Sequence, residues 1–266
     1  ALSAMLFRFA ATQSLGDVLD WNIVLAYLLG TMVIYLFVTV VAFIRKRGVE
    51  EAAVEAQIGV IGNVGFLGIP MLALLMGQKA LGPILMVLAV DLIVFGSLIV
   101  ILITGARDGR VSPAILKTVS GGLIRNPMIV AIVSGFIWSG LGIPVPVPLE
   151  SFLSLLGGAA TPGALFAIGA SLASKSTERM AVAGWLSFSK LVLHPAAVAL
   201  AAFGLFDISA YDAGVMVAAA ALPVAGNVYI IAQHYGVAPQ RASASILIST
   251  VISIVTVSLV IGWVSV

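Results

Sequence analysis

The stretch Ile61-Gly62-Asn63-Val64-Gly65-Phe66-Leu67-Gly68-Ile69-Pro70 runs through a segment apolar enough to cross a bilayer, yet it is built from residues that resist helix formation. Each glycine costs a helix on the order of 1 kcal/mol relative to alanine, and proline removes an N–H and clashes with the preceding turn. Leu222-Pro223-Val224-Ala225-Gly226-Asn227-Val228-Tyr229 has the same character. Both are predicted to break in mid-membrane. Freed backbone groups are tolerated in hydrocarbon only where protein buries them or where they line an aqueous cavity, so two breaks point to one central site. Half-helix N-termini carry free N–H donors and partial positive charge, which suits an anion. The amides of Asn63 and Asn227 are fitted either to bind a carboxylate or to replace missing backbone partners. For one such span, kinking or close helix packing is the simpler account. Two spans at related positions, each with Asn beside Gly, favour a site.

Around these stretches, 61% of the 266 residues are hydrophobic and 9% charged, against about 45–50% apolar usage in soluble domains, so the chain belongs in a membrane. Spans of about 20 apolar residues are expected at 21–44, 56–76, 81–104, 127–143, 150–173, 180–205, 211–235 and 240–264, with a partial one at 1–12. Arg45, Lys46, Arg47, Arg107, Arg110, Lys117, Arg125, Lys175, Arg179 and Arg241 fall in alternate loops. The opposite loops hold Asp17, Asp20, Glu150 and Asp207, with Lys79 as their sole basic residue. Because basic residues gather on the cytoplasmic side, the first set is placed inside and the C-terminus outside. Residues 110–125 read as a cytoplasmic amphipathic helix.

The same composition excludes much. Without cysteine there is no disulfide, thiolate nucleophile or cysteine metal site. His194 and His234 lack the spacing of a local metal motif, so no metal and no cofactor is expected. Neither a nucleophile–base pair nor paired carboxylates is evident, which argues against an enzyme. A net charge of +2 carried in short loops speaks for membrane orientation and not for nucleic acid.

A shift of 159 residues carries Gly77 onto Gly236 and the span 21–44 onto 180–203; 56–76 and 81–104 land likewise on later spans. The shift crosses an odd number of helices, so matched spans run in opposite directions. Inverted repeats of this kind mark secondary transporters, although channels also duplicate. The expected organisation is a first repeat at 1–109, a linker at 110–126 and a second repeat at 127–266. The span 127–143 finds its match before Ala1, so the chain is expected to lack the first of ten helices.

Four ionisable groups lie in or near the apolar zone. Asp91 is either a proton or cation coupling site or a structural carboxylate that is paired or protonated. Lys190 is either its counter-charge or a donor to carbonyls freed at the breaks. His194, one turn later on the same face, either makes a packing hydrogen bond or relays protons. Arg8 either binds substrate or snorkels to the cytoplasmic interface.

The run Gly62-Asn63-Val64-Gly65-Phe66-Leu67-Gly68-Ile69-Pro70-Met71-Leu72 resembles the signature of the auxin efflux carrier family. Further stretches that match are Asn126-Pro127, Leu141-Gly142-Ile143-Pro144, Pro162 through Gly169-Ala170-Ser171-Leu172, Lys190-Leu191 with Pro195, Pro223 to Asn227, and Ser249 to Ser253. The resemblance covers nearly the whole chain. It implies an all-α polytopic membrane protein like the bile-acid symporters and sodium/proton antiporters, an inverted five-helix repeat whose two broken helices cross. A mobile bundle would move against a scaffold drawn from 1–12, 127–143 and 150–173. Ser3 stands where family members have proline, and the long cytoplasmic loop of the plant carriers is missing. The missing loop points to a bacterial-type member, in the cytoplasmic membrane, and away from auxin.

The function expected is alternating-access transport of a small organic anion. Asn63, Gly65, Pro70, Pro223 and Asn227 are the candidate substrate residues, and Asp91, Lys190 and His194 the candidate coupling residues. Protons, membrane potential or sodium would drive it, lipid would surround it, and a homodimer is plausible through exposed scaffold surfaces. The alternatives are a sodium-coupled organic-anion symporter and a channel or scaffold without transport.

Overall fold

The computed structural model describes residues 2–13, 16, 19–109, 113–159, 163, 166 and 180–264. Among them the chain is helical: α1 (Leu2–Thr12), α2 (Trp21–Ile44), α3 (Val49–Val60), α4 (Val64–Met76), α5 (Gln78–Asp108), α6 (Pro113–Arg125), α7 (Pro127–Gly140), α8 (Val147–Gly158), α9 (Met180–Gly204), α10 (Ala210–Ala220), α11 (Gly226–Tyr235) and α12 (Pro239–Val264). Four of these, α2, α5, α9 and α12, are long and apolar enough to cross a membrane unbroken. A fifth crossing is available if α6 and α7, bent by 71° at Asn126, count as one. The later part of the expected 150–173 span, the matching run from Gly169 to Leu172, and Arg110, Lys175 and Arg179 lie outside the described residues.

Helix α2 shows how burial is divided. Leu25, Leu29, Val33, Leu36 and Val40 stand exposed along one face, where acyl chains would cover them. Ile23, Tyr27, Thr31, Ile34 and Val38 form the buried stripe. In α12 the inward stripe is Ser245, Ser249 and Ser253, small residues that let neighbouring backbones approach while the exposed face carries Val251, Ile254, Val255 and Leu259. Asp20 caps α2 by accepting from the Asn22 N–H at 2.7 Å, and Asn126 caps α7 by accepting from Met128 N–H at 2.9 Å.

Two groupings result. Helix α1 packs on α7 and α8, whereas α2, α3, α5, α9, α10 and α12 gather around the interrupted segments. Close crossings rest on glycine in both groupings: a Cβ on Gly30 of α2 would lie 2.9 Å from Val198 Cα of α9, and one on Gly135 of α7 would lie 2.7 Å from the Phe7 carbonyl oxygen of α1.

Within α4, α5 and α9 the helix widens into single π-turns at Val64–Gly68, Val90–Phe95 and Ser189–Leu193. Two of these end two residues before a proline, Pro70 and Pro195. Proline cannot donate and crowds the carbonyl one turn back, and the wider turn absorbs both defects without ending the helix. Sequence reasoning gave Pro70 a share in the first break. The break instead lies at Ile61–Asn63, and α4 passes through Pro70 continuously.

Gly30→Val should lower stability by about 1–3 kcal/mol through overpacking, while Leu29→Ile on the exposed face should stay within about 0.5 kcal/mol. Thermal unfolding in detergent measures both.

Candidate functional site

The chain unwinds at Ile61–Asn63 between α3 and α4, and again at Ala221–Ala225 between α10 and α11. The two unwound segments pair with each other. Asn63 N–H donates to the Pro223 carbonyl at 2.8 Å, and Ala225 N–H donates to the Ile61 carbonyl at 3.0 Å, forming an antiparallel bridge at Gly62 and Val224. Val224 N–H donates to Ser249 Oγ at 3.1 Å. Each break therefore supplies what the other lacks, with a serine of α12 completing the set.

Lys190 lies fully buried beside the bridge. Its Nζ donates to the carbonyl of Ala220, the last residue of α10, and lies 3.1 Å from His194 Nδ1. A helix C-terminus has orphan carbonyls and a partial negative charge, so an ammonium is well placed there. If that ammonium donates to Nδ1, the imidazole is neutral and Nε2–H faces Thr31 Oγ1 at 3.0 Å. A Cβ on Gly62 would come within 3.3 Å of Lys190 Nζ and of the Ala219 carbonyl. That position is a glycine because the cation and α10 fill the space a side chain would need.

Asp91 sits in the π-turn of α5. Its Oδ1 accepts from Tyr27 O–H at 2.9 Å, while Oδ2 is buried without a hydrogen-bond partner. No direct ion pair joins it to Lys190 among the described residues. Tyr27 stacks edge-on against His194, with centroids 5.8 Å apart, so the two buried charges are linked through Tyr27 and His194.

Of the candidate residues, Asn63, Pro223, Lys190 and His194 come together at the breaks. Gly65 is buried two residues beyond Asn63 in the π-turn, and Asn227, the second residue of α11, has its Oδ1 buried and unpartnered. Pro70 stands apart, on the wall of a separate cavity of 720 Å³ shared with Arg8 and Lys79. Arg8 pairs at 2.5 Å with Glu150, at the start of α8.

Sequence reasoning missed Tyr27, Thr31 and Glu55. The fully buried Glu55 of α3 accepts from both Arg45 and Arg241, and Arg241 also reaches Glu51 at 3.2 Å. Burial, then the neighbouring Arg241 and Arg47, pull the Arg45 guanidinium below its ordinary pKa. Arg107 extends the ionic layer to Glu50 at 2.7 Å and to the Tyr235 carbonyl at the end of α11 at 2.5 Å. The layer thus ties the outer ends of both broken helices to α2, α5 and α12. Starting a span at 56 left these carboxylates in a loop, whereas Glu50 and Glu51 in a first turn followed by Ala52, Ala53 and Ala56 signal a helix start.

The family described as membrane transport protein matches residues 1–261. A Rhizobium meliloti (strain 1021) protein named "Putative malonate transporter" is 30% identical over 263 residues, covering 97% of this chain and 82% of that protein. "Uncharacterized transporter YfdV" of Escherichia coli (strain K12) is 29% identical over 219 residues, covering 80% of this chain and 68% of its own. The homologue of the same name in Shigella flexneri matches equally. These names indicate a transporter rather than an enzyme.

Glu55→Gln leaves two guanidiniums without their shared counter-charge and should cost about 3–5 kcal/mol. Glu51→Gln, at a half-exposed carboxylate, should cost no more than about 1 kcal/mol. Comparison of thermal unfolding midpoints in detergent checks the contrast.

Proposed function

The chain belongs to the membrane transport protein family, and from that premise we propose that it is a secondary active carrier moving a small carboxylate across the bacterial cytoplasmic membrane by alternating access. The observation that carries this reading is the mutual pairing of the two unwound segments next to the buried Lys190. Irregular backbone at membrane depth persists where protein buries it or where it lines a solute path.

In this reading Asn63 and Asn227 contact the carboxylate with their amides, helped by the N-terminus of α11. Gly65 and Pro223 keep the backbone open around it. Lys190 holds the α10 terminus in place and sets a positive potential over the bridge. Asp91 Oδ2 is the seat of the coupling proton, and Tyr27 and His194 carry its charge state to Lys190. Pro70 acts at a distance, through the cavity it lines. The Rhizobium meliloti relative, named for malonate, makes a short dicarboxylate the first substrate to test.

An inverted repeat fits this reading. The 159-residue shift takes Trp21, which opens α2, onto Met180, which opens the described part of α9, and takes Gly77 onto Gly236, each closing a half-helix. The motion proposed is of the helices around the breaks against α1, α7 and α8, which also offer a surface for a homodimer.

Uptake of labelled malonate into proteoliposomes tests the proposal. Asn227→Ala should reduce it to background with an unchanged unfolding midpoint, and normal uptake by that variant would remove the site assignment. Replacing sodium by choline should leave wild-type uptake intact; its loss would make the carrier a sodium symporter.

A further inference from the structure

The cavity of 720 Å³ between α1 and α8 on one side and α4 and the start of α5 on the other contains none of the break residues. Its size falls within the range of about 300–1,000 Å³ usual for small-molecule sites. Arg8 enters from α1 and Lys79 from the opposite wall, and no acidic side chain lines it among the described residues. Glu150 lies behind Arg8 and takes up one edge of that guanidinium through Nε. Lys79 has no ion-pair partner among the described residues. Gln78 and Ser154 add hydrogen-bonding groups, and Leu81 and Leu85 give an apolar floor.

Two cations on facing walls, over a floor that accepts methylene groups, define a ligand with negative charge at both ends. A half-enclosed positive cleft also raises the local concentration of anions. We infer that this cavity is a second binding site, a collecting site for a short dicarboxylate on the face opposite the basic loops, distinct from the paired breaks. The inference rests on the transport reading for its biological sense, but its chemistry is testable without transport. An anionic lipid headgroup offers one negative charge to the same cations, and the experiment separates the two.

The chain has no cysteine, so Ser154→Cys places a single reporter thiol in the cavity. Its modification by a maleimide is followed in detergent-purified full chain that elutes as a single symmetric peak. Malonate should slow the reaction, acetate should not, and the protection should persist when Asn227→Ala is added. Lys79→Gln should raise the malonate concentration needed by about tenfold, the loss of one charge-assisted contact, and Lys79→Arg should restore it. The inference is overturned if malonate fails to protect, if Asn227→Ala abolishes protection, if Lys79→Gln leaves it unchanged, or if only short-chain phosphatidylglycerol protects. Uptake lost with protection intact would count against the transport reading alone.

Discussion

Every backbone N–H and C=O inside hydrocarbon needs a partner, and this requirement organises the molecule. Two helices stop in mid-path, and the groups they release meet across the bundle between Ile61–Asn63 and Pro223–Ala225. The remainder is met by side chains of other helices: Ser249 takes the Val224 N–H, and Lys190 covers the Ala220 carbonyl. Any substrate that uses the free N-terminus of α11 joins a network that is already nearly complete. Under the proposed function that would give selectivity, because a solute that fits poorly leaves polar groups unpaired at a cost of about 1–3 kcal/mol each.

The buried charges follow the same logic at longer range. Lys190 is tolerable because α10 ends beneath it, and Asp91 because Tyr27 donates to one of its oxygens. The ionic layer built on Glu55 holds the far ends of the broken helices. The breaks, which have little secondary structure of their own, are thus held by the helices packed around them and by an ionic layer at one end of the broken pair.

Much of this was legible in the residues. Clusters of Gly, Pro and Asn located both interruptions, and Lys190 as a donor to freed carbonyls was one of two readings open for it. Pro70 misled, because a π-turn accommodates a proline that a regular helix would not, and helix width leaves no mark in composition. Glu55 was lost because the span was started at 56, past the helix-start signal of Glu50 and Glu51, and its buried ion pairs are non-local. Arg241 lies 186 residues away in sequence. The roles of Tyr27 and Thr31 were equally hidden, since a hydroxyl in an apolar helix declares nothing until its partner on another helix is seen. The pairing of the breaks with each other belongs to the same non-local class.

That pairing has a consequence for biogenesis. The segment that donates and accepts at Ile61–Asn63 is synthesised first, and its partners at Pro223–Ala225 follow more than 150 residues later. At about 5–20 residues per second the ribosome takes on the order of ten to thirty seconds to deliver them. Through that interval the first half waits with an unsatisfied segment, held by water or by the insertion machinery, and slowing translation of the C-terminal half would lengthen its exposure to quality control.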